Sequence, residues 1–424
     1  MHKIERLLQT LAPKGVEFKT LEEVFEIKNG YTPSKNNPEF WKNGTIPWFR
    51  MEDIRENGRI LKDSIQHITP KALKGKKLFP KNSIIISTTA TIGEHALLIV
   101  DSLANQRFTF LSKKANCDSA LDMKFFFYQC FLLGEWCKKN TNVSGFASVD
   151  MTAFKKYKFP IPPLEIQQEI VKILDAFTEL NTELNTELNA RKKQYQYYQN
   201  MLLDFKDIHQ NHKDAKIKTY PKRLKTLLQT LAPKGVEFRK LGEVLEYDQP
   251  NQYCVTSKEF DKSYPTPVLT AGKTFILGYT NEKDNIYQAS KSSPVIIFDD
   301  FTTATQWVDF PFKVKSSAMK ILFSKNPTIN IRFIFFYMQT IPYNIGGEHA
   351  RHWISRYSQL EVPIPPLEIQ QEIVKILDQF SLLTTDLLAG IPAEIKARKK
   401  QYEYYREKLL TFKPLTPLNN KELA

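Results

Sequence analysis

Two short stretches of the chain carry residue types that could do chemistry, and neither completes a known site. Residues 271–274 read AGKT, similar to the end of a phosphate-binding loop, but residue 267 is Pro where that loop needs its first Gly. His349 and His352 are three residues apart, without the glutamate of an HExxH zinc motif and without a third ligand. We therefore predict neither a nucleotide loop nor a metal site there, and we interpret the histidines as part of a surface loop.

Wider searches for catalytic patterns give the same result. The sequence contains no G-x-S-x-G nucleophile motif, no Asn/Asp-Pro-Pro-aromatic methyltransferase motif and no helicase motor motif. E-x-K triplets such as Glu26–Lys28 lack a strand-borne Asp upstream. A chain of 49.3 kDa without a catalytic cluster is typical of a binding module, so we predict no catalytic residue and no cofactor.

Composition places the chain among folded, cytoplasmic proteins of about three domains. It has 424 residues, of which 42% are hydrophobic and 25% charged. Apolar runs such as ALLIV are strand-sized, and the N-terminal segment lacks the apolar core of a signal peptide. The four cysteines form no CxxC pair, which predicts reduced thiols.

The net charge of +14 is compatible with a polyanionic partner, although many basic proteins bind none. The excess of positive charge is not uniform along the chain. Residues 160–205 carry four basic and seven acidic side chains, whereas residues 206–225 carry seven basic and two acidic ones. The acidic segment is therefore expected to face protein rather than phosphate.

The chain is built twice. LLQTLAPKGVEF begins at Leu7 and again at Leu227, and PIPPLEIQQEIVKILD begins at Pro160 and again at Pro363. ARKKQYQYY at 190–198 returns as ARKKQYEYY at 397–405. We call these repeated boxes the frame, and the dissimilar regions that they enclose, residues 19–159 and 239–362, the first and second heads. Random mutation after a duplication would change the frame and the heads alike. An unchanged frame therefore indicates one scaffold that presents two different heads.

The long boxes of the frame predict helices over Leu164–Phe205 and Leu367–Phe412. Tandem prolines suit a helix start, and apolar residues then recur at steps of three or four, the period of a coiled-coil seam. AGIP at 389–392 is expected to kink or interrupt the second helix. The two helices should pack antiparallel through the following seam residues: Leu174, Phe177, Leu184, Leu188, Tyr195, Tyr198, Ile376, Phe380, Leu387, Ile395, Tyr402 and Tyr405.

The first predicted helix contains TELNTELNTELN at 178–189, the same tetrad three times. Four residues make about one helical turn, or ~6 Å of rise. Taken alone, the repeat is best explained by slippage in a repetitive gene that a solvated helix tolerates. A length adjustment in a rod is the alternative.

The heads have a mixed α/β pattern. Strands are predicted in NSIIIST, ALLIVD and RFTFL of the first head and in SPVIIFDD and SAMKILFS of the second. One helix follows in each head, LDMKFFFYQCFLLGEWCKK or IRFIFFYMQTI, and a loop then precedes the long box.

Taken together, these boxes and heads resemble the specificity (S) subunits of type I restriction–modification systems over nearly the whole chain. NGYTPSKNNPEFWKNGTIPWFRMEDI and STTATIGEHALL in the first head, and TPVLTAGKTFILGYT and IIFDDFTTATQWVDFPFKVKSSAMKIL in the second, are similar to family segments. The resemblance implies that each head reads one half of a split DNA site and that the helices set the gap. It also implies docking of two methyltransferase (M) subunits, with restriction (R) subunits joining for cleavage. Tandem tetrads at the position of TELN are a known variation in the family, which favours a ruler over slippage.

The implied fold is α+β: two mixed α/β target-recognition domains separated by a pair of long antiparallel helices, with a pseudo-two-fold internal repeat. We assign the segments as follows: N-terminal repeat 1–18, target-recognition domain 1 at 19–159, spacer helix 160–205, basic linker 206–226, second short box 227–238, target-recognition domain 2 at 239–362, second spacer helix 363–413 and tail 414–424.

Polar loop residues with small neighbours are the candidates for DNA contacts. In the first head these are Tyr31, Thr32, Ser34, Lys35, Thr88, Thr89, Thr91, Asn105, Gln106, Arg107, Ser144 and Ser148, with Lys71, Lys74, Lys76 and Lys77 as phosphate contacts. In the second head they are Thr270, Lys273, Thr274, Tyr279, Thr302, Thr303, Gln306, Arg351, His352 and Arg356. About half of them could instead be ordinary loop or core residues.

Two alternatives remain open at this point. The chain could be a nuclease or methyltransferase whose motifs are unfamiliar, or a coiled-coil scaffold that binds no DNA. A methyl-donor binding assay distinguishes the first alternative, and a gel shift with random duplex, with and without an M subunit, distinguishes the second.

Overall fold

The computed structural model describes residues 2–75, 77–115, 117, 120–142, 147–205, 220–270, 274–342, 351–385 and 390–415. The chain forms two compact units. Unit 1 comprises Met1–Glu183 and Lys396–Ala424, and unit 2 comprises Leu184–Ile395. Each head thus lies within one unit, together with frame segments from both halves of the chain.

Unit 1 contains the first head. Its helices are α1 (His2–Leu11), α2 (Leu21–Val24), α3 (Met51–Asn57), α4 (Met123–Lys139), α5 (Met151–Lys155) and the first half of α6 (Leu164–Leu203). Its strands are β1 (Glu17–Thr20), β2 (Phe25–Asn29), β3 (Ile46–Phe49), β4 (Ile60–Leu61), β5 (His67–Ile68), β6 (Ile84–Ser87), β7 (His95–Leu98), β8 (Leu103–Ala104), β9 (Phe108–Lys113), β10 (Thr141–Asn142), β11 (Ser148–Val149) and β12 (Lys158–Ile161).

The main sheet of this head has the order β2-β9-β6-β7-β4, beside a three-stranded sheet β5-β3-β8. Side chains of β6 alternate between two cores, as the period of a strand requires. Ile84 and Ile86 join a cluster with Phe126 of α4 and Ile170 of α6, whereas Ile85 points into a second cluster. The sheet is therefore buried on both faces, one of them against the frame.

Unit 2 contains the second head. Its helices are the second half of α6, α7 (Lys222–Leu231), α8 (Leu241–Val244), α9 (Ile331–Met338), α10 (Leu367–Thr385) and the start of α11 (Gly390–Leu410). The rest of α11, from Lys396, belongs to unit 1. Its strands are β13 (Glu237–Lys240), β14 (Leu245–Asp248), β15 (Thr266–Leu269), β16 (Ile276–Thr280), β17 (Val295–Asp299), β18 (Thr305–Val308), β19 (Lys313–Val314), β20 (Met319–Ser324) and β21 (Glu361–Ile364).

The second head has a four-stranded sheet, β14-β20-β17-β18, and a smaller sheet, β16-β15-β19. Strand β17 divides its side chains as β6 does: Ile296 and Phe298 face a core with Phe333 of α9, and Ile297 faces another. All five predicted strands and both predicted head helices are present. The mixed α/β architecture of both heads is confirmed.

The frame is the same in both units. Strand β1 pairs antiparallel with β12, Glu17 opposite Ile161, and β13 pairs with β21 in the same register, Glu237 opposite Ile364. An ion pair then joins the helix that leads into each short box, α1 or α7, to the long box of the same unit: Lys3 pairs with Glu169, and Arg223 pairs with Glu372. The repeats in sequence are therefore repeats of structure.

One buried glutamine in each long box forms hydrogen bonds to the backbone of the head. Gln167 accepts a hydrogen bond from Asp122 N at 2.8 Å and donates to Ala120 O at 2.8 Å. Gln370 likewise accepts from Asn330 N at 2.8 Å and donates to Thr328 O at 3.2 Å. Asp122 and Asn330 are the residues that cap α4 and α9. The frame thus holds each head at the start of its single long helix.

The second long box forms two helices. Helix α10 ends at Thr385 and α11 begins at Gly390. Gly390 has φ +72°, and a Cβ there would lie 2.6 Å from Leu382 O, so only glycine fits. Pro392 falls in the first turn of α11, where its missing N–H costs little. The expected interruption near AGIP is correct, whereas the first helix is continuous for 40 residues.

Candidate nucleic-acid interface

Four segments that carry predicted contacts meet at one edge of the first head. Tyr31 N donates to Ala104 O at 2.8 Å, and the Thr32 hydroxyl donates to Gln106 Oε1. Thr88 N donates to Arg107 O at 3.2 Å, and Val149 N donates to Thr88 O at 2.9 Å. The loops after β2, β6 and β8 and the strand β11 therefore form one connected surface.

Glycine permits this convergence at the first of these loops. A Cβ on Gly30 would lie 2.2 Å from Asn105 O, so no other residue lets the two loops approach. Arg107 N donates to Asn105 Oδ1 at 3.0 Å, which bends the chain between β8 and β9. Gln106 and Arg107 consequently lie exposed at the tip of the turn.

Exposure separates the predicted contacts of this head. Ser34, Lys35, Thr91, Gln106 and Arg107 are exposed, and Tyr31, Thr32, Thr89, Asn105 and Ser148 are half-buried. Thr88 is a correction: its side chain is buried and its hydroxyl lies 3.0 Å from that of Thr109, because it closes the sheet beneath the loops. Ser144 lies outside the described residues.

The lysines predicted to contact phosphates differ in what their ammonium groups already contact. Lys71 Nζ lies 3.4 Å from Glu39 Oε2, so its charge is already paired. Lys74 adopts φ +48° and its ammonium lies 5.4 Å from the centre of the Phe40 ring. Lys77 is exposed, and Lys76 lies outside the described residues.

An open cleft of about 580 Å³ adjoins these loops. Met51, Ile54 and Ile92 supply its apolar lining. Its charged lining is mixed: Arg55, Lys138 and Glu94 all face it, and Lys138 Nζ lies 2.6 Å from Glu135 Oε1. Neither Arg55 nor Lys138 is among the contacts predicted from the sequence. Both lie in the last turns of helices, where a basic residue usually complements the helix dipole, so the sequence carried no signal that set them apart.

In the second head, two adjacent aspartates organise the predicted contacts. The Asp299 carboxylate accepts hydrogen bonds from Phe301 N at 2.9 Å and from the Thr302 hydroxyl at 2.6 Å. Thr303 follows with φ +60°, and its N–H donates to Asp299 O at 2.9 Å. These bonds form a tight turn between β17 and β18 that leaves Thr302 exposed and Thr303 half-buried.

The loop before β21 is attached to the same turn. His352 N donates to Asp300 O at 2.9 Å, and Trp353 N donates to the Asp300 carboxylate at 2.8 Å. Arg351 and Arg356 are exposed on this loop. His352 is the second correction: its side chain is only 1% exposed, so it belongs to the core of the head and not to a DNA-facing surface.

The remaining predicted contacts of this head lie on other strands. Thr270 N donates to Phe275 O at 2.8 Å, which closes the β15–β16 hairpin that also carries Thr274 and Tyr279. Gln306 is exposed on β18, directly after the aspartate turn. Lys273 lies outside the described residues. The hairpin is joined to β19 rather than to the turn.

Two buried lysines of this head have carboxylate partners. Lys313 Nζ lies 2.7 Å from Glu282 Oε2, and Lys320 Nζ lies 3.7 Å from Asp300 Oδ2. Burial would raise the pKa of Glu282, but hydrogen bonds from Lys313, Ser257 and Thr256 outweigh it and lower that pKa to about 2. Burial lowers the pKa of Lys320, and the charge of Arg351 adds to the effect while Asp300 opposes it.

The seam residues pack within each unit. In unit 1, Phe177 contacts Tyr402 and Tyr405 with ring centres 6.2 and 5.6 Å apart, and Leu174 is buried. In unit 2, Tyr198 stacks on Phe380 at 5.1 Å. The others are half-buried or buried as follows: Leu184, Leu188, Tyr195 and Ile376 half-buried, and Ile395 buried. Leu387 lies outside the described residues. Because the leucines of the TELN tetrads are only half-buried, the seam is less tightly packed in the tetrads than at Leu174.

Among the described residues, no group of three His, Cys, Asp or Glu side chains could hold a metal ion. None of the described helices is both long enough and apolar enough to cross a membrane.

Comparisons with known proteins agree with this architecture. The family model described as the type I restriction modification DNA specificity domain matches residues 13–194 and 233–397. The chain is 40% identical to the EcoprrI specificity subunit of Escherichia coli, covering 91% of this chain and 93% of that protein. It is 54% identical over 188 residues to the EcoR124I/EcoR124II specificity subunit of Escherichia coli, which covers 42% of this chain and 45% of that one.

The fold also has solved counterparts. The crystal structure of an S subunit from M. genitalium aligns with a TM-score of 0.56 at 16% identity, covering 93% of this chain and 95% of that one. A structure from a study of the assembly of a type I R-M system aligns with a TM-score of 0.52 over 93% of this chain and 96% of that one. Two matched domains on a repeated frame, and an identity of 40% over nearly the full length, show that the chain belongs to the family of type I restriction–modification DNA specificity subunits.

Proposed function

We propose that each head reads one half of a split DNA target. The observation that carries this proposal is the pairing of two unlike heads with one repeated frame. If the chain bound two identical DNA half-sites, two heads of one kind would be sufficient. Two heads that share their mounting but not their exposed loops are suited to two different half-sites.

The exposed loop residues are the proposed base contacts. Gln106 and Arg107 lie at the tip of the first head, and Arg351 and Arg356 lie on the loop of the second. Arginine and glutamine can each make bidentate hydrogen bonds to base edges in the major groove. Lys77 and Arg55 are proposed to contact phosphates, which adds affinity without sequence information.

The helices are proposed to act as a ruler. The three TELN tetrads lie within the uninterrupted helix α6, so each adds ~6 Å of rise. One base pair spans ~3.4 Å. Each tetrad therefore corresponds to about one or two base pairs of gap between the half-sites.

Two copies of a methyltransferase subunit are the proposed partners, with restriction subunits joining for cleavage. The duplication supports the number two, because it exposes equivalent surfaces twice. Tyr197 on α6 and Tyr404 on α11 occupy matching positions of the repeated box and are 63% and 59% exposed. Large exposed aromatic side chains are typical of protein interfaces. The chain itself is proposed to be a non-catalytic, cytoplasmic subunit.

A binding experiment tests the proposal directly. The chain, co-expressed with its methyltransferase subunit, should methylate the host genome at one motif with two defined halves and a gap of undefined sequence. Sequencing of methylated bases reads this motif, and a gel shift with the motif should give tighter binding than random duplex. A contiguous motif without a gap would contradict the proposal.

The ruler is tested by changing the number of tetrads. Strains with two, three or four TELN units should methylate motifs that differ only in the gap, by about one or two base pairs per unit. Four residues exceed a helical turn by 0.4 residue, a rotation of ~40°, so the seam keeps its face. Deletion of two residues rotates the seam away and should abolish assembly. A constant gap would restore slippage as the explanation of the repeat.

A further inference from the structure

A buried ion pair lies beneath the loop that carries Arg351. Asp300 is 1% exposed and Lys320 is 2% exposed, and the nearest ammonium and carboxylate atoms are 3.7 Å apart. Lys320 also donates to Gln249 Oε1, and its Nζ lies 4.7 Å from the centre of the Tyr247 ring. A fully buried charge is costly unless it is paired and hydrogen-bonded, so the head contains this pair for a reason other than burial of surface.

The reason lies in the bonds that Asp300 makes to the loop. Its carboxylate accepts from Trp353 N at 2.8 Å and its carbonyl accepts from His352 N at 2.9 Å. Buried backbone N–H groups need acceptors, and apolar residues at 300 and 320 could not supply a side-chain acceptor. Asp300 provides it, and Lys320 compensates the charge that the carboxylate brings into the core.

The loop is also packed from below. The Trp353 and Tyr357 rings lie 5.1 and 4.8 Å from the Phe298 ring, measured between centres. Packing holds the aromatic residues, and the two hydrogen bonds of Asp300 fix the backbone immediately after Arg351. The backbone that directly follows the exposed arginine is therefore held in place.

We propose that Asp300, with Lys320 as its counter-ion, is a positioning pair that sets the place of Arg351 and thereby the discrimination of the second half-site. This inference rests on the proposed function of the heads. Neither residue touches DNA in this arrangement, since both are buried. A correctly placed arginine distinguishes a base pair from its neighbours by its two parallel hydrogen bonds, and such bonds weaken steeply with misorientation.

A matched pair of double variants tests the inference in the full chain assembled with methyltransferase subunits. Asp300→Asn with Lys320→Met removes both charges but keeps an acceptor for Trp353 N. Asp300→Ala with Lys320→Met removes the charges and that acceptor. Met suits the position because it packs well against an aromatic ring such as Tyr247. The measured quantity is the ratio of Kd values for the methylated motif and for motifs with one base pair changed, in each half-site separately.

The Ala/Met variant should lose about tenfold in discrimination of the second half-site and stay within about twofold of the wild type in the first. The Asn/Met variant should stay within about threefold in both half-sites. Equal losses in the two double variants, no loss in the Ala/Met variant, or equal losses in the two half-sites would overturn the inference. A wild-type complex without a split motif would instead contradict the proposed function itself.

Amide hydrogen exchange provides a second readout that does not depend on folding of the Ala/Met variant. The N–H groups of His352 and Trp353 should exchange slowly in the wild type and in the Asn/Met variant. Rapid exchange of these two groups in the wild type would overturn the inference.

Discussion

The two heads hold their contact loops by different means. In the first head the loop after α4 is held by backbone pairing, with β10 beside β11 and a bridge between Thr89 and Ser148. In the second head the corresponding loop is held by the side chain and carbonyl of Asp300. Backbone pairing depends little on which side chains are present, whereas a carboxylate anchor depends on one residue. The first head should therefore tolerate loop substitutions better than the second.

The frame shows no such difference. Gln167 and Gln370 make the same bonds to the two heads, and Glu169 and Glu372 form ion pairs at matching positions of the repeat. Each glutamine binds backbone groups of the head, so it can hold heads of unrelated sequence. A mounting through backbone groups explains how one frame carries two dissimilar heads.

The largest expected effect comes from the frame glutamines. Gln167→Ala and Gln370→Ala each leave buried backbone groups without a partner, which should cost about 2–3 kcal/mol of unfolding free energy. Urea unfolding of each variant checks this value. If the losses of unfolding free energy differed by more than about 1 kcal/mol between the two variants, the two heads would not be attached to the frame in an equivalent way.

Arg351→Ala should weaken discrimination in the second half-site by ~1–3 kcal/mol if Arg351 contacts a base. Binding to motifs with single substitutions in each half-site measures the effect. Ile354→Ala, whose side chain is 63% exposed on the same loop, is the matched control and should change neither half-site. A loss that appears in the first half-site would show that the heads are not independent.

Glu282→Gln should change how the stability of the second head depends on pH. The folded pKa of Glu282, about 2, lies below its ordinary value of 4.5. The carboxylate therefore stabilises the fold above pH ~4.5, and this stabilisation is lost as the pH falls towards 2. The variant should be less stable than the wild type by about 1–2 kcal/mol at pH 7, once solvent screening is allowed for. Urea unfolding from pH 7 to pH 3 should show that the difference in unfolding free energy between wild type and variant becomes smaller as the pH falls. A difference that does not change with pH would assign the effect to packing.

The smallest expected effect is that of Lys77→Ala in the first head. A phosphate contact adds affinity to all sequences alike, so its loss should reduce the slope of log affinity against log salt by about one. Lys71→Ala is the control, because Lys71 is already paired with Glu39. Equal slopes for the two variants would remove Lys77 from the proposed phosphate contacts.

Much of the fold could be predicted because its signals are local. The apolar runs around Ile85 and Ile297 are short enough to predict strands, and the repeated boxes predict a repeated frame. The break before α11 was visible in the sequence as AGIP, because glycine and proline disfavour the interior of a helix.

The candidate site was less predictable because exposure is a tertiary property. His352 and Thr88 have the residue types of contacts, yet one is buried beside Asp300 and the other under the first head's loops. Asp300 and Lys320 are twenty residues apart, and no local pattern indicates that they meet. Long-range pairs of this kind require the folded arrangement of the strands.

The independence of the two heads is the central claim, and one measurement tests it most directly. Residues 239–362 are replaced by the second head of another family member, the frame is left unchanged, and the methylated motif is read by sequencing of the host genome. The account predicts that one half-site changes while the other half-site and the gap stay as they were. A motif in which both halves change, or in which neither does, would contradict it.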